Sequence, residues 1–221
     1  MNDCKNSQER PWGQGYYLMH DKYSLSLATG GLFHAESVLL AALYLELKDW
    51  QAVRSQVAAQ NLLQARTQSS SARICREIIA RLKTLNDSTL HLLVETHHQE
   101  QCHILWLAAC RRYRFVSDFA VDVLHERFTA LKRDLNYEDF DAFFNRKSEW
   151  HPELDALRPD TRNKWRRVLF KMLREADLLT VSHSINAAPL SRRLIELISR
   201  DNVMELTYFP IFEADVKRML Q

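Results

Sequence analysis

Apolar residues recur along this chain at helical spacing far more often than at the two-residue spacing of strands. Over 34–46, Val38, Leu39, Leu40, Ala42, Leu43 and Leu45 fall nearly all round one helix, which predicts deep burial. Helical segments follow at about 48–60, 70–85, 88–96, 99–113 and 115–132. In the second of these, Ile74, Ile78, Ile79, Leu82 and Leu85 share a face, while Arg73, Arg76 and Lys83 lie opposite. Asn136 and Asp139 have capping-box spacing and open a helix over 137–147. Trp150-His151-Pro152 interrupts the pattern, and Pro159-Asp160-Thr161 starts a long helix running to Leu178. That helix is two-sided, with Trp165, Val168, Leu169, Met172, Leu173 and Ala176 on one stripe and Lys164, Arg167, Lys171 and Arg174 on the other. Only Leu179 to Ile185, rich in β-branched residues, reads as a short β-hairpin. Helices resume at about 190–200 and 209–220.

Composition agrees with an all-α fold, because Gly 4 and Pro 5 leave few turns for a sheet protein. At 221 residues and 46% hydrophobic, the chain can bury one large core or two small ones. The expected arrangement is a helical bundle in three parts: a loose extension over 1–22, a helix-turn-helix-like half over 23–113, and a winged-helix-like half over 114–221 carrying the hairpin. Cys4, Cys75, Cys102 and Cys110 form no C-x-x-C pair and no signal peptide precedes them, which implies reduced thiols in the cytoplasm. The longest apolar run, Val38 to Leu45, is far short of the ~20 residues a membrane span requires.

Charge is nearly balanced at +2, but it is unevenly spread. Residues 51–86 hold six Lys/Arg against one acid, and 161–198 hold eight against three. Between them, 116–160 holds eleven acids against six bases. Two basic zones of this kind are local footprints for a polyanion. The first includes Asn61 to Lys83, where a serine run caps a helix that is apolar inside and basic outside, as a recognition helix needs. Gln64, Arg66, Ser70, Arg73, Arg76 and Lys83 are its candidate DNA contacts. The second zone offers Lys164, Arg167, Lys171 and Arg174 on a helix followed by a hairpin, the order of a winged helix, with Arg192 and Arg193 just beyond. The predicted partner is double-stranded DNA, read with weak sequence preference. The same faces also suit acidic protein surfaces, whereas single-stranded RNA asks for exposed aromatics, and most aromatics here fall on apolar stripes, with Phe170 an exception.

Other constellations carry less. His97-His98-Gln99-Glu100-Gln101-Cys102-His103 puts His98 and Cys102 one helical turn apart, but zinc takes four ligands, or three and a water, and no second pair has matching spacing. No metal or other cofactor is therefore expected. Arg111-Arg112-Tyr113-Arg114 ends a helix, where cations complement the dipole. Asp134, Glu138, Asp139 and Asp141 sit at a helix start, unlike the strand-borne acids of common metal-dependent nucleases. Thr29-Gly30-Gly31 lacks the length and the lysine of a phosphate loop. No nucleophile–base pair stands out, so no catalysis is expected.

Several segments together resemble the BrxA family of BREX phage-defence systems. They are Tyr23 to Leu32, Ala35-Glu36-Ser37, Asn61 to Gln64 with Arg66, Arg73 and Arg76, Asp118-Phe119, Tyr137 to Phe144, Thr161-Arg162 with Leu169, and Pro189-Leu190-Ser191. The resemblance covers roughly 23–200 and contains no catalytic signature. It implies a small α-helical, non-enzymatic component that binds DNA and works beside a methyltransferase and other BREX proteins. The family was once labelled a putative inner-membrane protein, for which this sequence gives no support. It has also been likened to NusB, an RNA-binding antitermination protein, which keeps RNA open as a ligand.

Overall fold

The computed structural model describes residues 22–24 and 30–221. All but Lys22 of the expected N-terminal extension, with Cys4, lies outside the described residues. The helices are α1 His34–Leu47, α2 Trp50–Gln60, α3 Gln68–Leu82, α4 Asp87–Glu95, α5 His98–Arg112, α6 Arg114–Phe119, α7 Glu126–Thr129, α8 Tyr137–Ser148, α9 Pro152–Asp155, α10 Pro159–Glu175, α11 Arg192–Asn202 and α12 Glu213–Leu220. A π-helical stretch, Ala120–His125, joins α6 to α7, so the long helix expected over 115–132 is real but not uniform. A 3-10 segment, Val203–Tyr208, follows α11.

The fold is all-α. Among the described residues there is no β-strand. Where a hairpin was expected, Leu179 and Ile185 form an isolated antiparallel bridge, flanked by Thr180 N donating to Ser184 O at 2.9 Å. A second bridge pairs Asp134 with Ser184. This turn is held to the loop before α8 by Leu135 N donating to His183 O at 2.9 Å, which limits it to single bridges.

The buried residues of both halves form one continuous core. At its centre lies α5, whose residues from Cys102 to Cys110 are all buried because α1, α3, α4, α6, α10 and the 3-10 segment pack around it. Trp106 is enclosed there, its indole N–H donating to Tyr208 O at 2.9 Å, which satisfies the polar end of a large apolar ring. In the C-terminal half Phe115 meets Tyr23, Phe140, Phe143, Phe144 and Trp165 edge-on, with centroids 5.0–6.0 Å apart. The stripe read from α10 is the buried one, with Trp165, Leu169, Met172, Leu173 and Ala176 at 0% exposure.

At two places burial departs from the sequence pattern. Helix α1 is not enclosed all round: Leu40 and Ala41 are buried, but Leu39 is 36% exposed, because α2 to α5 cover α1 from one flank. Phe170, singled out as a stacking surface, is fully buried against Tyr137 and His183.

A strap before α1 links the two basic helices. Arg81 of α3, itself buried, donates from Nη1 to Gly31 O at 2.7 Å, and Leu32 N donates to Glu175 Oε2 of α10 at 2.5 Å. Gly31 lets the carboxylate come this close, since a Cβ would stand 2.0 Å from that same Glu175 oxygen and the glutamate would have to move.

Candidate nucleic-acid interface

Helix α2 starts at Asp49, whose carboxylate accepts from Gln51 N and Ala52 N, and ends at Asn61 in the left-handed region. Gln64 is also left-handed, at φ 46°. The connection 61–67 is longer than the roughly three- to four-residue turn of a helix-turn-helix. Helix α3 is capped not by its serines but by Thr67, whose Oγ1 accepts from Ser70 N at 3.1 Å. The serines therefore fall inside the first turn, where Ser71 is buried and the Ser70 hydroxyl accepts from Thr67 Oγ1 at 2.9 Å.

Inside, α3 follows its sequence pattern: Cys75, Ile78, Ile79 and Leu82 are buried. Outside, Arg66, Arg73, Arg76 and Lys83 are exposed, as is Gln64. Between α2 and α3 lies a groove of about 620 Å³ lined by Arg54, Arg66, Thr67, Gln68, Ser71 and Cys75 among others. Arg54, on the exposed face of α2, was not singled out from the sequence. Its guanidinium is close enough to Cys75 to offset part of the rise that burial imposes on the thiol. The available signal was its place in the first basic zone, one helix before the serine run. None of Arg54, Arg66, Arg73, Arg76 and Lys83 has an ion-pair partner among the described residues.

Helix α10 opens on Pro159, whose missing N–H costs nothing at a helix start. Lys164 and Arg167 are exposed and lack an ion-pair partner among the described residues, while Arg174 is half-buried. Lys171 Nζ lies 3.5 Å from Glu175 Oε1. Arg192 pairs with Glu196 at 2.9 Å and Arg193 with Glu95 at 3.2 Å, so each meets a phosphate only in competition with its own carboxylate. Residues 179–185, the expected wing, hold no lysine or arginine and present Val181 at 87% exposure.

Several other charges are internal fasteners. Arg111 grips Glu205 at 2.6 Å, Asp201 at 2.9 Å and Thr84 O at 3.0 Å. Asp141 is held by Arg162 at 2.9 Å and by Arg166 at 2.6 Å. Arg127 binds Asp134 at 2.6 Å and Asp139 at 2.9 Å, and Asp139 also accepts from Asn136 N at 2.7 Å, closing the capping box of α8. These acids hold arginines, as a structural role requires.

The family model for BrxA matches residues 21–202. The chain belongs to the BrxA family. A relative named BREX protein BrxA, from Paramagnetospirillum magneticum, is 21% identical over 187 residues, covering 84% of this chain and 94% of the relative. Another BREX protein BrxA, from Bacillus cereus, is 24% identical over 127 residues, covering 58% of this chain and 64% of the relative. A solved crystal structure of an uncharacterized protein from Magnetospirillum magneticum superposes with a TM-score of 0.74 at 20% identity, covering 86% of this chain and 98% of the other. This BrxA-family chain therefore shares its fold with that protein. No described helix is long and apolar enough to cross a membrane.

Proposed function

We propose that the chain is the BrxA component of a BREX system and binds double-stranded DNA in the cytoplasm without catalysing a reaction on it. The observation that carries this reading is the α2–α3 surface. There, Arg54, Arg66, Arg73, Arg76 and Lys83 line a groove and a helix face without carboxylate partners among the described residues. Cations left unneutralised by the protein are the ones that release counterions when they meet phosphates. Lys164 and Arg167 on α10 form the second contact, with Arg174 and Lys171 behind them. The duplex is favoured over single-stranded RNA because neither α3 nor α10 presents an exposed aromatic for stacking: Trp165 and Phe170 are both fully buried. The two helical halves, 23–113 and 114–221, each supply one basic helix.

The test is a salt titration of binding to a duplex, a single strand and an RNA hairpin. Engagement of roughly six to eight phosphates gives a slope of log affinity against log salt of about −5 to −7 for the duplex, with little dependence on its sequence. A duplex affinity that is negligible at low salt, or weaker than that for the RNA, overturns the reading. The basic faces would then belong to acidic surfaces of other BREX proteins or to RNA.

A further inference from the structure

His34 is the first residue of α1 and His98 the first of α5, and Cys102 stands one turn further along α5. Packing of α1 against α5 brings the three together, so that one nitrogen or sulfur from each lies within 4.8 Å of the other two. The Cys102 Sγ is 3.8 Å from His98 Nδ1, and the His34 and His98 rings are 4.2 Å apart, tilted by 43°. With Zn–N near 2.0–2.1 Å and Zn–S near 2.3 Å, ligand atoms around a tetrahedral zinc stand roughly 3.3–3.6 Å apart. From separations of up to 4.8 Å, a contraction of at most about 1.5 Å reaches that spacing, and the Cys102–His98 pair needs less than half of that. The pair His98 and Cys102 was legible in the sequence, but the third ligand comes from another helix. The flanking histidines do not join it: His97 Nδ1 lies 3.4 Å from Thr96 Oγ1, and His103 is fully buried beside Phe209.

The surroundings suit a cation. Gln101 donates from Nε2 to Leu93 O at 3.1 Å, which turns its Oε1 toward His34 Nε2 at 2.7 Å. The imidazole must therefore donate from Nε2, and Nδ1 keeps the lone pair a metal needs. A partner on one ring nitrogen fixes the tautomer in this way at established metal sites. Asp177, held by Gln99 Nε2 at 2.9 Å, adds negative charge at the same end of α5. Cys102 is buried while His98 is exposed, so an ion enters from solvent and the sulfur closes the inner side.

We propose that His34, His98 and Cys102 bind one Zn²⁺ ion, with water as the fourth ligand, clamping the start of α1 to the start of α5. The thiol gives up its proton to solvent on binding. Two imidazoles and a thiolate favour zinc over the oxygen-seeking magnesium and calcium.

The experiment uses the full chain, stripped with a chelator under reducing conditions and titrated with Co²⁺. One equivalent is expected to produce the near-ultraviolet thiolate-to-cobalt charge-transfer band and the intense visible bands of four-coordinate cobalt, both abolished by Zn²⁺. Cys102→Ser removes the charge-transfer band and Cys75→Ser keeps it. His98→Ala, at an exposed position that spares the fold, weakens binding at least tenfold. Saturating Zn²⁺ raises the wild-type Tm by about 5–10 °C and leaves Cys102→Ser unmoved. No stoichiometric Co²⁺ or Zn²⁺ uptake, a charge-transfer band surviving in Cys102→Ser, or wild-type affinity in His98→Ala overturns the proposal.

Discussion

Trp165 shows how far a single position can be read from sequence. Its place on the α10 stripe identifies it as core, and in the fold it is 0% exposed, with its ring 5.0 Å from Phe115. Trp165→Ala is expected to cost about 3–5 kcal/mol, measured by chemical denaturation. A mutant within 1 kcal/mol of wild type contradicts the packing described here. Tyr23 is the opposite case, because no spacing announces its partner. Its hydroxyl donates to the buried Asp118 at 2.6 Å, where Lys147 Nζ also approaches to 3.4 Å. Burial, and then the Asp118 charge, push the phenol above its ordinary value near 10. Tyr23→Phe is therefore expected to cost about 1.5–3 kcal/mol at neutral pH. Because the folded value lies above the unfolded one, that contribution is complete below about pH 10 and declines as the pH rises beyond it. Denaturation of both proteins between pH 7 and 11 checks this, and a gap that stays constant throughout would count against the assignment.

Helices were legible as elements because each has a local signature: a stripe, a cap or a proline at the first turn. Helices α3 to α5, α8, α10 and α11 lie within a few residues of where the pattern puts them. Short-range competition defeated the finer details. Thr67 wins the cap of α3 from the serines because it alone has the extended backbone that a cap requires, at φ −138° and ψ 152°. Thr67→Ala is expected to remove about 0.5–2 kcal/mol, whereas Ser69→Ala, at an exposed first-turn position, changes stability by less than about 0.5 kcal/mol. Equal effects in thermal melts would return the cap to the serine run. The β-rich signal of 179–185 was real but too short. The residues bond to the loop before α8 as well as to each other, a long-range choice that alternation in sequence does not encode.

At the scale of the whole molecule, the charge zones seen in the sequence sort into two kinds once the chain is folded. Arg81, Arg111, Arg127, Arg162 and Arg166 hold acids or carbonyls from distant segments, and Arg192 and Arg193 sit in surface ion pairs. Arg54, Arg66, Arg73, Arg76, Lys83, Lys164 and Arg167 stay unpaired among the described residues. Sequence counts weigh both kinds alike, so the basic zones were legible and the division within them was not. The same long-range assembly supplies His34 to the His98–Cys102 pair. Superposition on a solved structure shows the shared fold, and the unpaired cations carry the proposed DNA contact. The most direct test is electrophoretic mobility shift on a duplex with two charge-reversed proteins, Arg73→Glu/Arg76→Glu and Lys164→Glu/Arg167→Glu, each confirmed folded by circular dichroism. All four positions are exposed, so the fold should survive. Each double reversal is predicted to weaken duplex binding at least tenfold at moderate salt and to flatten its salt dependence. Wild-type binding by both proteins would contradict the DNA-binding account.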